Sequence, residues 1–467
     1  MINGRGSKNI TSGNLLLGIF QFAIPLYIST LVQNLFTAAD TAIAGNFADG
    51  LAVAAIGAGT PVINLLINCF VAFSIGTGMI VARAIGSEDT VRTKEAVDTS
   101  MLFSLGLGVV LMLAAFCLSS PVLRLMDCPA ECFDGAVLYM NIYMVGTPAV
   151  MVYNFASAII RAEGDSTRPL IYIMISGAVN VATNLALCLL LSNKVAAVAI
   201  ATVLSQTISA ILAMRRLMTK KDGSCRFSLK GLVFRGNVLK EVFRYGLPLS
   251  LARAIYPVAG LQIQPAINSY GAANLAGVTA ANTIDTVTNA LQGSFESTCV
   301  TFMSQNIGAH NTKRVKKTII LCGLCAVISG LVIGLLTAHV FSEPLLKIFL
   351  PNDPEAIWYG QKKMFYTTAF YWLAAIVSTL GGAVQAFGYP AMTTINSLVS
   401  VLGFRIIWMN FVYNKAPSID RLYVCYTISW ALTLIINVGM FIYAARKYKQ
   451  KEDLYDLEHS QQKRCVN

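Results

Sequence analysis

The sequence predicts an all-α, polytopic membrane protein with twelve transmembrane helices in two six-helix lobes, related by a pseudo-two-fold axis along the membrane normal. Three observations predict it: a composition too apolar for a soluble fold, apolar runs long enough to cross a bilayer, and an internal repeat. Of the 467 residues, 55% are hydrophobic and 12% charged, against about 45–50% and about 25% in soluble domains. The runs are continuous over about 20 residues, the length that crosses a hydrocarbon layer of about 30 Å. Outer-membrane strands, with about 10 residues of alternating polarity, are excluded.

Windows of that length place spans at 15–44, 52–82, 98–119, 136–161, 169–191 and 195–217, then at 245–269, 275–305, 318–341, 362–387, 391–413 and 421–445. The first run is too long for a cleavable signal peptide and carries Asp40 where a small-residue cleavage site would be needed, so it stays as helix 1. Gln33, Thr37 and Asp40 share one face of it. A carboxylate inside a membrane costs about 2.5–3.5 kcal/mol on insertion scales and marks an ion or proton site by default; the plainer reading is a helix-end residue that reaches water. The second span leaves the membrane at Ala84-Ile85-Gly86. Cys128 and Cys132 fall in an external loop before the fourth span, but their gap alone is not metal-ligand spacing. Most of the eleven cysteines lie in apolar runs as small hydrophobes.

Span 5 carries Asn180 and Asn184 one turn apart, and span 6 carries Thr202 and Gln206 at the same spacing. Such amides and hydroxyls glue helices together, or, converging with Asp40, supply the neutral oxygens that a desolvated sodium ion needs beside one carboxylate. They serve a proton equally well. Thr219 to Lys240 is the most polar internal stretch and reads as a basic linker. The domain boundaries that follow are residues 1–217 for the N-lobe, 218–244 for the linker, 245–446 for the C-lobe and 447–467 for a tail.

The seventh span repeats the first. Ile24-Pro25-Leu26 matches Leu247-Pro248-Leu249 at an offset of 223, and the Ile85-Gly86 exit matches Ile307-Gly308 at an offset of 222. Six spans return the chain to its starting side, so the halves are parallel repeats with a central cavity expected between them. Span 8 carries Asn282, Asp285, Asn289, Gln292 and Glu296, stepping by 3, 4, 3 and 4 residues. This polar stripe reads as lining of a substrate cavity, or as interhelical bonding with Arg253 or Arg405 as ion-pair partners. Tyr139, Tyr143, Tyr153, Tyr256, Tyr366, Tyr371 and Trp372 offer ring faces to a cationic substrate, although belt and packing roles account for most such residues.

Basic residues outnumber acids by 35 to 23, and they cluster in alternate loops: Arg215 to Arg244, Lys313 to Lys317, and Arg446 to Lys451. By the positive-inside rule these segments and both termini are cytoplasmic, so the +12 charge is read as a topology signal and no nucleic-acid partner is expected; the expected location is a bacterial inner membrane. No Walker loop, dinucleotide fingerprint or His-Glu-x-x-His occurs, so neither an enzyme nor a cofactor is expected.

Asp40-Thr41-Ala42-Ile43-Ala44-Gly45, Ile85-Gly86, Arg161-Ala162-Glu163-Gly164-Asp165 before Pro169, Asn180 to Asn184, and Thr301 to Ala309 together resemble the multidrug and toxic compound extrusion (MATE) family, from helix 1 to helix 12. The resemblance implies a monomeric secondary transporter in lipid that exports small organic, often cationic, compounds against sodium or protons. It assigns Asp40, Asn180, Asn184 and Thr202 to the N-lobe cation, with Na+ favoured by the number of neutral oxygens. Where many members carry a second acid this chain has Asn184, and the stretches around Tyr256 and from Thr367 to Phe387 carry no acid, which puts a C-lobe ion site of that type in doubt. The expected substrate cavity holds Gln33, Thr37, Asn282, Asp285, Asn289, Gln292, Glu296 and Arg253. The alternative reading is a lipid-linked sugar flippase of the same two-lobe build.

Overall fold

The computed structural model describes residues 10–47, 50–220, 225–228 and 230–466, with the side chains of Thr41 and of residues 459–466 outside that description. The start of the expected N-lobe at Met1 to Asn9, Lys221 of the linker, His459 as a side chain, and Asn467 therefore lie outside the described residues. The first half runs α1 (Leu15–Phe47), α2 (Gly50–Gly86), α3 (Thr90–Leu125), α4 (Ala130–Val145), α5 (Thr147–Ala162), α6 (Thr167–Leu190) and α7 (Lys194–Met218). The second runs α8 (Gly236–Leu261), α9 (Gln264–Ser269), α10 (Gly271–Gly308), α11 (Thr312–Leu335), α12 (Ser342–Phe349), α13 (Pro354–Tyr366), α14 (Tyr371–Ala386), α15 (Pro390–Ser397), α16 (Phe404–Trp408) and α17 (Ile419–Val466).

Among the described residues, nine helical stretches are long and apolar enough to cross a membrane, and the bent pair α4 and α5 makes a tenth. The long helices α8 and α10 complete the twelve. Both are diluted by polar residues, α8 by Arg253 and α10 by its stripe, which is why composition alone passes over them. The fourth span is not straight. Pro148 has no N–H for the carbonyl of Met144; the Thr147 hydroxyl takes that carbonyl at 2.7 Å and that of Gly108 at 3.0 Å, and the axis turns by 43°. Cys128 and Cys132 are free thiols 3.9 Å apart at the start of α4.

The chain divides into two units, residues 24–250 in one and residues 10–23 with 251 onward in the other. The division falls beside Pro25 and Pro248, the two prolines matched by the repeat. Within the first unit, Arg92 holds Glu241 at the start of α8 at 2.6 Å. Within the second, Arg314, 222 residues on, gives Nε, Nη2 and Nη1 to the carbonyls of Ile10, Ser12 and Gly13 at 2.9, 2.7 and 3.0 Å. The same loop is thus used twice to seat the head of a long helix.

Those loops also match in backbone. After Gly86 and Gly308 the chain turns through a left-handed residue, Glu88 at φ 57° and His310 at φ 52°, a conformation that costs a non-glycine residue about 1–2 kcal/mol. Asp89 and Asn311 then cap α3 and α11 by accepting the amides of Arg92 and Arg314 at 2.8 and 3.0 Å, and each cap returns about 1 kcal/mol.

Glycines set the closest helix approaches in each unit, as small residues do where lipid offers no hydrophobic drive. A Cβ on Gly177 of α6 would overlap the ring of Phe36 on α1. Gly277 of α10 faces the carbonyl of Ala356 on α13, and a Cβ on Gly360 of α13 would press on Leu346. The first approach lies one turn from Asp40, and on α13 Gly360 lies one turn from Lys363.

Candidate cation site in the first unit and a polar network in the second

On α1, Gln33 and Thr37 are exposed, and the Thr37 hydroxyl donates to the Gln33 carbonyl at 3.0 Å. Asp40, one turn further, is only partly accessible. Phe36 seated on Gly177 draws α1 against α6, and Asn184, fully buried, donates Nδ2 to Asp40 Oδ1 at 2.9 Å. Asn180, also buried, lies within electrostatic reach of the same carboxylate and donates to Ser205 Oγ of α7 at 3.5 Å. Its own Oδ1 is buried without a hydrogen-bond partner. A buried acceptor left open is uncommon and costs about 1–3 kcal/mol, and here it lies beside a carboxylate.

Thr202 bonds back to the carbonyl of Val198 at 3.0 Å, so the α7 residue that reaches Asn180 is Ser205, three positions on. Sequence reasoning passed over Ser205, although the spacing from Thr202 was the available signal. Tyr139 and Tyr143 of α4, with rings 6.0 Å apart, lie within electrostatic reach of Asp40. Among the described residues, no basic side chain balances Asp40. One negative charge, an open amide oxygen and the hydroxyl of Ser205 make a set of oxygen donors, the chemistry that hard cations take.

In the second unit, the α10 stripe packs against one span made of α13, a 3-10 turn at Thr368–Phe370, and α14. Asp285 is buried, with Oδ2 3.1 Å from Lys363 Nζ and Oδ1 accepting the Thr368 hydroxyl at 2.7 Å. Lys363 Nζ also donates to Asn282 Oδ1. Asn289 donates to the Tyr371 hydroxyl at 3.2 Å, and Gln292 to the Tyr371 carbonyl at 3.0 Å. Glu296 instead has Arg253 of α8 as its charge neighbour. Arg405 is buried with its guanidinium 4.4 Å from the ring of Tyr426. The counter-charge of Asp285 is therefore Lys363, a residue at the edge of the tenth window that the stripe gave no reason to single out.

Against this geometry, the family model MatE matches residues 25–186 and again residues 248–410. The chain belongs to the MatE family. The two matches begin at the paired prolines Pro25 and Pro248, so the repeat read from the sequence is the family's own unit, present twice. Among curated proteins, this MatE chain is similar to the probable multidrug resistance protein YoeA of Bacillus subtilis, 24% identical and covering 91% of this chain and 93% of that one. It is also similar to YpnP of the same organism, likewise named a probable multidrug resistance protein, 25% identical over 84% and 87%. Among solved structures, a MATE transporter in complex with MaL6 superposes with a TM-score of 0.86, at 18% identity, over 96% of this chain and 99% of that one. That likeness carries the fold. The MatE chain is thus a multi-pass membrane transporter of the multidrug efflux type.

Proposed function

We propose that the protein exports small organic compounds across the bacterial inner membrane, with both termini cytoplasmic, and that a sodium ion entering from outside drives each cycle by binding at Asp40. The observation that carries this reading is the open Oδ1 of Asn180 beside an acid with no basic partner. A sodium ion there would neutralise the carboxylate and satisfy the orphan oxygen together, with the Ser205 and Thr202 hydroxyls as further neutral donors. Ion binding drives a cycle only if the two conformational states differ in affinity for it. Because Asn184 on α6 holds Asp40 on α1, with Asn180 one turn before it, any change in the fit of α1 against α6 changes that affinity. The reading is tested by dye efflux from proteoliposomes under an imposed sodium gradient and, separately, a pH gradient. Efflux is expected to follow sodium; efflux that follows pH alone would make protonation of Asp40 the coupling event, and efflux indifferent to both would end the proposal.

We assign substrate to the level of α10 at Glu296, the one stripe residue whose polar group has no hydrogen bond among those described to α13, the 3-10 turn or α14, which engage Asn282, Asp285, Asn289 and Gln292. Glu296→Gln is expected to lower efflux of cationic dyes by about tenfold while neutral compounds change by less than about twofold, the loss of one charge contact at low effective dielectric. Equal loss for every compound would move Glu296 out of substrate recognition.

A further inference from the structure

We infer that the second unit contains a monovalent-cation site whose occupant is the chain's own Lys363 ammonium, so that this unit takes up no coupling ion. The inference rests on the reading of Asp40 as a coupling site, and it follows from comparing the two acids. Asp40 and Asp285 each stand on a long helix beside an asparagine side chain and hydroxyl groups. They differ in one respect. Among the described residues Asp40 has neutral partners alone, whereas Asp285 has Lys363 Nζ at 3.1 Å, the same ammonium also donating to Asn282 Oδ1.

The Lys363 and Asp285 side chains are 4% and 10% exposed, so neither charge is compensated by water. The close approach of α10 and α13 at Gly277 and Gly360 places the lysine one turn from that contact, where its stem reaches the acid. A buried carboxylate is neutralised by a counter-charge or a proton. A dissolved ion meets that need only while bound, but a tethered ammonium is always present. An occupant that never leaves has no gradient across the membrane, so it cannot couple one to the conformational cycle. The second unit then contributes stability and no ion, and one ion is taken per cycle.

The test uses the full chain, purified into lipid nanodiscs, with radioactive sodium as the probe. Lys363→Met and Lys363→Ala are each made on an Asp40→Asn background, which removes the first unit's site from the measurement. Both are expected to bind about one sodium ion per chain, with affinity at least about tenfold above Asp40→Asn alone, and to melt at higher temperature in sodium chloride than in choline chloride. Adding Asp285→Asn is expected to abolish both effects. The proposal is overturned if the Lys363 variants fold and gain no sodium, if their gain survives Asp285→Asn, or if they are recovered equally poorly in sodium and choline salts. Wild-type protein that binds no sodium would count against sodium at Asp40 and leave this comparison standing, because the gain is measured without Asp40.

Discussion

Asp40→Asn is expected to cut ion-driven efflux by about 100-fold, the factor that corresponds to losing about 3 kcal/mol of state-selective binding, while leaving the protein folded in the membrane. The two halves of that expectation have separate physical grounds. The substituted amide still presents an oxygen to Asn184 Nδ2, so the bond that now joins α6 to α1 at 2.9 Å is kept. Removing the charge also ends the desolvation cost of a carboxylate in the membrane, so thermal stability should hold or rise. What disappears is the only negative charge among the Asn180, Asn184 and Ser205 oxygens, and with it the reason for a cation to stop there. Efflux rate in proteoliposomes and melting temperature in detergent, measured side by side, check both halves. A mutant that transports at the wild-type rate would remove Asp40 from the mechanism, and one that fails to fold would recast it as a structural acid.

The limits of the sequence reading follow from which physical signals are local. Apolar run length and the spacing of Gln33, Thr37 and Asp40 are one-dimensional, so the spans and the polar faces were legible. The break at Gly146 was not, because the apolar run continues through it and the kink arises from Pro148 meeting an unpaired carbonyl that Thr147 happens to cap. Lys363 escaped for a related reason. Beside Lys362, at the edge of a span, it looks like an interfacial charge, and only the turn at Thr368–Phe370 and the glycine contacts of α13 carry it against Asp285. Ser205 was hidden by Thr202, which has the same chemistry on the same face but bonds back to its own helix. For Lys363 the missing term was a contact between distant segments, set by glycines that composition does not distinguish from any other; for Ser205 it was the choice of one hydroxyl over its equivalent on the same face.

Gly177→Val is the second large effect. Phe36 occupies the space that any side chain at position 177 would need, against the ring and not the end of a flexible chain, so the added atoms must push α1 off α6. Overpacking of this kind costs about 1–3 kcal/mol. The functional loss should be larger than the stability loss suggests. Phe36 lies four residues before Asp40 and Gly177 three before Asn180, so the displaced turn is the one that aligns the acid with both amides. Sodium affinity and efflux are expected to fall by at least about tenfold, with the melting temperature lowered by several degrees. The decisive arm is the double substitution Gly177→Val with Phe36→Ala, in which the cavity left by the ring receives the valine. If the approach of α1 to α6 is what builds the site, the pair should recover most of the lost affinity, a coupling of about 1–2 kcal/mol between the two positions. Additive losses would mean that Gly177 matters for something other than seating Phe36, and the geometry at Asp40 would then need a different cause.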